Sequence, residues 1–423
     1  MRLEKILEKR TRDEWYIYRV YLGIYIMSSL FIGLMSIAQY VSLGEARFLR
    51  LSIGRISMGL ILVIHLIPLF FVPAFYKLNK RHRIRLSLSG KKLPVKLSLA
   101  YPRIHYFVLI VLIVQIAYTM RTGHGRVLSE LSRGVSSGNS SSAILNMLNI
   151  GLFFPVYFVV AKRNSRLYWI NTALFFAYEL ICGWTGFILE IGFYEAFILL
   201  KSGKAILLKK FLRLSIISVI AAIFLGALLY QYVASYKDFI RYGMYTQLTY
   251  PEALERLISR FTAYPVSVAG VQNHKVIADL YRGNHWYTEV ISVFRSMLPS
   301  SLMPDKQFRT MNNIVLQSIH PDLTNSTSTG YSVIVLMFNL AESNFFAFCF
   351  WIISYLIFFT ISKMVISAFD DGSHKTDALL FILCFQCLNG ASIESLFGYG
   401  YIGMVYILAI MVALRVIKLG YEN

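Results

Sequence analysis

Apolar residues recur along this chain in long unbroken runs rather than in narrow helical stripes, and short basic or glycine-rich segments separate the runs. Ten runs approach the length a bilayer demands, at about 18–41, 55–76, 104–120, 143–161, 167–182, 185–200, 213–233, 343–364, 377–391 and 399–416. The fifth and sixth are joined only by Gly183-Trp184-Thr185-Gly186, and the ninth and tenth meet at NGASIESLFGYG, so each pair is expected to form a tight hairpin. The expected fold is an all-α polytopic membrane protein of about ten transmembrane helices, one integral domain over residues 1–423 with a single large loop at 234–342. A short polar tract, SSGNSSS at 136–142, reads as a flexible loop.

Composition supports a membrane protein: 57% of residues are hydrophobic and 15% charged, too apolar for a soluble domain. The net charge of +20 does not point to nucleic acid, because much of it flanks the apolar runs, where anionic lipid headgroups account for it. Cys182, Cys349, Cys384 and Cys387 all lie in apolar runs, and Cys384-Phe-Gln-Cys387 lacks the partners of a zinc or redox site; packing is the expected role, with no metal and no cofactor. The charged opening MRLEKILEKRTRDEW is expected to stay in the cytoplasm with the first run retained as a helix. KLNKRHRIRLSLSGKKLPVK, with eight lysines and arginines and no acid, marks its side as cytoplasmic, and an even number of spans returns the C-terminus there.

Lysine and arginine divide unequally between the two sides. On this topology the cytoplasmic segments hold 15 Lys and 11 Arg, the outer segments 3 Lys and 12 Arg. Lysine suffices for a lipid surface, whereas a planar guanidinium grips phosphate or carboxylate through two parallel hydrogen bonds, so the outer bias points to anion recognition. The alternative is pairing with acids of the same loop, among them Asp238, Glu252, Glu255, Asp279, Glu289, Asp305 and Asp322. Within the loop, aromatic and aliphatic residues at helical spacing predict amphipathic helices near the membrane surface. TYPEALERLISRF starts with a turn at Thr249-Tyr250-Pro251 and sets Leu254, Leu257, Ile258 and Phe261 on one face, with Arg256 and Arg260 sharing another.

His274, His285 and His320 lie in the same loop without the spacing of a metal site, and a hydrogen-bonded surface imidazole is the ordinary fate of each. For proton transfer the first choice is His320 and the second His285, each set among polar and cationic residues; Asp322 and Glu289 are the carboxylate alternatives. Arg19, Glu179, Glu190 and Glu195 fall inside apolar runs, where a charge needs a partner or a water-filled cavity.

The architecture and three local stretches resemble the Wzy-type polymerases of bacterial O-antigen and related polysaccharides. SRFTAYPVSVAGV is similar to the arginine-led helix of that family, SMLPSSLMPDK to its proline-rich segment, and STSTGYSVIVLMFNLAESNFFAF to the element that enters the next span. The chain departs from the family in two places: CGWTG replaces a hairpin arginine, and Leu336 with Asn339-Leu340-Ala341 stands where many relatives carry Glu and Asn-Phe-Gly. The resemblance implies a GT-C-like, metal-independent glycosyltransferase of the bacterial inner membrane, with both termini cytoplasmic and the long loop periplasmic. Its substrate would be an undecaprenyl-pyrophosphate-linked oligosaccharide, and a Wzz-type chain-length co-polymerase is a further expected partner. Arg260, Arg256, Arg282, Arg295, Lys306 and Arg309 would face the pyrophosphate, with His320, His285 or Asp322 taking the proton from the acceptor sugar. An O-antigen ligase of the same fold and a lipid-linked oligosaccharide transporter are the rival readings; the single large loop, without a counterpart in the other half, counts against the transporter.

Overall fold

The structure is a computed structural model and describes residues 2–39, 52–81, 87–88, 91–92, 95–100, 102–122, 150–183, 186–202, 206–242, 244–295, 309–319, 332–371, 373–389 and 403–421. Helices dominate. They run as α1 (Arg2–Gln39), α2 (Arg55–Arg81), α3 (Arg103–Thr122), α4 (Ile150–Val160), α5 (Arg166–Cys182), α6 (Phe187–Lys201), α7 (Ile206–Arg213), α8 (Ser215–Tyr242), α9 (Tyr250–Arg260), α10 (Tyr264–Gln272), α11 (His274–Tyr281), α12 (Thr288–Arg295), α13 (Met311–Ile319), α14 (Val333–Ser343), α15 (Phe345–Ala368), α16 (Asp377–Asn389) and α17 (Gly403–Ala413).

Among the described residues, five stretches are long and apolar enough to cross a membrane: Glu14–Ala38, Arg55–Arg81, Arg103–Thr122, Ser215–Tyr236 and Phe345–Ala368. The protein is therefore a mostly helical membrane protein. The other five expected spans hold helices of 11 to 17 residues within the described stretches. The hairpin at NGASIESLFGYG and the SSGNSSS tract lie outside the described residues. At the other expected hairpin, α5 ends on Gly183, whose φ of 80° is the left-handed conformation that lets its N–H reach back to the carbonyls of Glu179 and Leu180.

Strands were not expected. β1 (Ser87–Leu88) pairs with β2 (Lys91–Lys92), and β3 (Val95–Leu99) pairs antiparallel with β4 (Ile417–Tyr421). In the second ribbon Ser98 stands opposite Lys418 and Leu99 opposite Ile417, with the register running on to Val95 opposite Tyr421. The alternation of VKLSL and IKLGY is the period-two signal of a strand, and it is too short to register beside the apolar runs.

The chain folds as two compact units, residues 1–71 with 185–272 and residues 72–184 with 273–423. The division falls inside α2, after Phe71, and splits the long 234–342 segment after Gln272. In the first unit α1 packs on α6 and α8. Gly23 and Gly33 permit close approach: a Cβ at Gly23 would lie 2.7 Å from Val219 Cγ2, and one at Gly33 2.6 Å from Leu62 Cδ1. Tyr18 stacks on Phe197 at 5.9 Å, and Lys201 Nζ meets the buried Glu14 at 2.6 Å.

In the second unit Phe154 of α4 stacks on Phe175 of α5 at 3.8 Å. His105 Nδ1 lies 2.8 Å from the Tyr157 hydroxyl, which also accepts from Asn171 Nδ2 at 2.9 Å, joining α3, α4 and α5. Lys363, 4% exposed, donates to Asn79 Oδ1 at 3.1 Å. Lys80 Nζ stands 2.7 Å from Asp377 Oδ2, a charge contact rather than an aligned hydrogen bond.

Two outcomes test this packing. Gly23→Ala lowers the unfolding temperature in detergent by the overpacking cost of about 1–3 kcal/mol, whereas Gly59→Ala, which would meet nothing within 4 Å, does not. Lys80→Met costs about 1–3 kcal/mol because it takes the nearest cation from a buried carboxylate, which keeps His374 Nδ1 at 3.8 Å. Asp377→Asn costs less, because the Lys80 side chain is 30% exposed and can turn to water. Thermal or denaturant unfolding of the solubilised protein ranks the two.

Candidate functional site

The arginine-led helix forms where its sequence predicts. At its start Glu252 Oε2 accepts from the backbone N–H and from the hydroxyl of Thr249, both at 2.9 Å. Those bonds, the backbone one first, hold the Glu252 carboxyl below its ordinary value. Ala253 and Ile258 are buried, and Leu257 sits over Gly226 of α8, where a Cβ would come within 3.1 Å of its Cδ2. Arg256 Nη1 lies 3.2 Å from Asp238 Oδ2, so this guanidinium has an acid of the same segment as partner. Arg260, one turn further on, is exposed and makes no hydrogen bond or ion pair among the described residues.

The residues just after Arg260 tie it to the bundle. The Phe261 ring meets Tyr25 of α1 edge-on at 5.5 Å, and Thr262 Oγ1 accepts from Ser29 Oγ of α1 at 2.9 Å. The Tyr264 hydroxyl donates to the Met58 carbonyl of α2 at 3.1 Å, and burial pushes that phenol up to about 12. Three successive anchors hold the end of α9 against two long apolar helices.

The second unit holds the rest of the segment. Asn284 Nδ2 donates to the Arg309 carbonyl at 2.6 Å, and Arg309 Nη1 donates to Gln317 Oε1 at 2.6 Å, leaving Arg309 half-buried. Thr310 and Asn313 cap α13 reciprocally: Thr310 N–H donates to Asn313 Oδ1 at 3.2 Å and Asn313 N–H to Thr310 Oγ1 at 3.4 Å. Glu289, 1% exposed, accepts the Met311 N–H at 2.7 Å, so its carboxylate is committed to the N-terminus of the same helix. Arg282 is exposed and lies 3.2 Å from Asp279.

His285 is exposed and stacks on Tyr287 with ring centroids 5.0 Å apart, and Trp286 meets Phe350 of α15 edge-on at 4.6 Å. Tyr281 is fully buried and belongs to the core. Arg295 closes α12, and Lys306, His320 and Asp322 lie outside the described residues. Glu190, inside an expected span, finds its partner one turn along the same helix, accepting from the Tyr194 hydroxyl at 2.7 Å.

The third histidine has the most organised surroundings. His274 opens α11, and its Nδ1 lies 2.8 Å and 3.0 Å from the two carboxylate oxygens of Glu342, on α14. The two residues are 68 positions apart, so no motif spacing signals the pair. Arg256 and Arg260 thus share one helix of the first unit, while Arg282 and Arg309 stand in the second, as do His274 and His285.

Glu289→Ala, by orphaning a buried N–H, destabilises the protein by about 1–3 kcal/mol in detergent unfolding. Arg260→Ala, at an exposed side chain without a partner among the described residues, changes the stability by no more than about 0.5 kcal/mol.

No protein-family model matches this chain, and no curated protein or solved structure is similar enough to match it.

Proposed function

We propose that the protein polymerises lipid-linked oligosaccharide repeat units at the outer face of a bacterial inner membrane. In this reading ten helices span the membrane in a GT-C-like arrangement, both termini are cytoplasmic, and residues 234–342 are periplasmic. The growing glycan moves from undecaprenyl pyrophosphate to a sugar hydroxyl of a new undecaprenyl-pyrophosphate-linked unit. The hydroxyl oxygen bonds to the anomeric carbon as that carbon's bond to the pyrophosphate oxygen breaks, the electron pair leaves with the pyrophosphate, and the hydroxyl proton passes to a base of the 234–342 loop.

The observation that carries this reading is Arg260: an exposed guanidinium without a partner among the described residues, at the end of a helix anchored by Phe261, Thr262 and Tyr264. A leaving pyrophosphate gains charge in the transition state, and a cation carried on an anchored helix end stands near at hand to stabilise it. Arg256 and Arg282 contribute less in this scheme, since each already faces a carboxylate. Arg295, Lys306 and Arg309 supply further positive charge from the same segment. A Wzz-type co-polymerase would set chain length.

In cells from which the gene is deleted, a plasmid copy carrying Arg260→Ala yields surface glycan of a single repeat unit in place of a ladder on a gel. Its rate with purified lipid-linked units falls about 100-fold or more, and Arg260→Lys does not restore it, because an ammonium lacks the planar fork. A normal ladder from Arg260→Ala removes this residue from the mechanism, and loss of all glycan from the core in the deletion strain marks a ligase.

A further inference from the structure

Neither His274 nor Glu342 is given a role in the polymerase reading, yet the geometry of the pair is that of an oriented base. Asn273, just before α11, donates through Nδ2 to the Ser318 carbonyl at 3.1 Å and to its hydroxyl at 3.3 Å, fixing the start of α11 against the end of α13. Glu342, near the end of α14, meets His274 Nδ1 with both oxygens. A carboxylate at Nδ1 selects the tautomer with its proton there and its lone pair on Nε2. Nε2 has no hydrogen-bond partner among the described residues.

The side chains of the pair are 30% and 34% exposed, which lets a substrate reach the imidazole. An ion pair so exposed adds at most about 1 kcal/mol to stability, so packing alone does not call for a histidine clasped by both oxygens. Phe338, one turn before Glu342, packs on the imidazole with centroids 6.0 Å apart and is itself 47% exposed. Its apolar ring face beside a base suits a sugar, which has carbon-bound hydrogens on its ring face and hydroxyls at its rim. Glu342 precedes Phe345, the first residue of the apolar 24-residue helix α15, by three positions, so the pair stands at one end of a candidate membrane span. A hydroxyl on a lipid-borne sugar is expected at such a level.

We infer that His274 is the general base that deprotonates the acceptor sugar, with Glu342 as its positioning residue and Phe338 as the platform for the sugar ring; this assignment rests on the polymerase reading. The acceptor oxygen bonds to the anomeric carbon of the donor glycan, the bond from that carbon to the pyrophosphate oxygen breaks with its electron pair, and the acceptor proton passes to Nε2.

The test uses the purified full chain in nanodiscs with a synthetic undecaprenyl-pyrophosphate-linked repeat unit, with products sized by mass. His274→Ala lowers kcat at least about 100-fold with KM little changed, and free imidazole restores about tenfold or more of the loss. Glu342→Gln lowers kcat by about tenfold, Glu342→Asp regains part of it, and neither responds to imidazole. Unfolding midpoints of all variants are measured alongside. An active parent with His274→Ala equally active, or with a loss that imidazole does not relieve in a folded protein, overturns the base assignment alone. A parent chain that extends nothing overturns the polymerase reading and this assignment with it.

Discussion

The constraint on which the rest depends is that hydrocarbon offers no hydrogen bonds. Backbone groups inside the apolar runs, and the charged and amide side chains there, call for partners within the protein. Backbone groups find theirs by forming helices, which is why runs of such different composition take one conformation. Side chains are matched across helices instead: Lys201 with Glu14, Lys363 with Asn79, and His105 with Tyr157 and Asn171. These contacts specify which helices are neighbours, because a mismatched neighbour would leave a buried charge or amide unpaired. Gly23 and Gly33 specify how near those neighbours come.

The same constraint explains what could be read from the sequence. A long apolar run has one stable solution in a bilayer, so helices were legible at the expected runs, five of them long and apolar enough to span among the described residues, and the start of the Arg256–Arg260 helix was legible from its turn at Thr249-Tyr250-Pro251. The ribbon of Val95–Leu99 with Ile417–Tyr421 was not, since each strand has five residues and its partner lies more than 300 positions away. The same holds for the site. Arg260 was legible as a cation on a helix face, but not the three anchors just after it, which tie that helix end to Tyr25, Ser29 and Met58. The pairing of Arg256 and Arg282 with acids is local, and was foreseen as the alternative to anion binding. Polar neighbours in sequence pointed to His320 and His285, whereas the carboxylate that meets His274 comes from a helix 68 residues on, which no local pattern signals.

Anchoring and exposure are combined in the same way at both places of interest. Arg260 has its backbone pinned by Phe261 and Tyr264 while its guanidinium is left to solvent. His274 has one ring nitrogen held and the other open, on a helix whose start is tied to Ser318. Fixing the support of a reactive group in advance removes the cost of organising it at the moment of reaction. Glu289 shows the opposite arrangement, a carboxylate turned inward and spent on a helix terminus.

The ribbon between residues 95–99 and 417–421 has a practical corollary for topology mapping. Reporter fusions that cut the chain before Ile417 remove one strand, leaving the edge of Val95–Leu99 without its five backbone partners. Such truncated reporters interrogate a polypeptide that has lost a clasp joining its early and late segments, whereas cysteine labelling of the intact chain keeps the clasp closed.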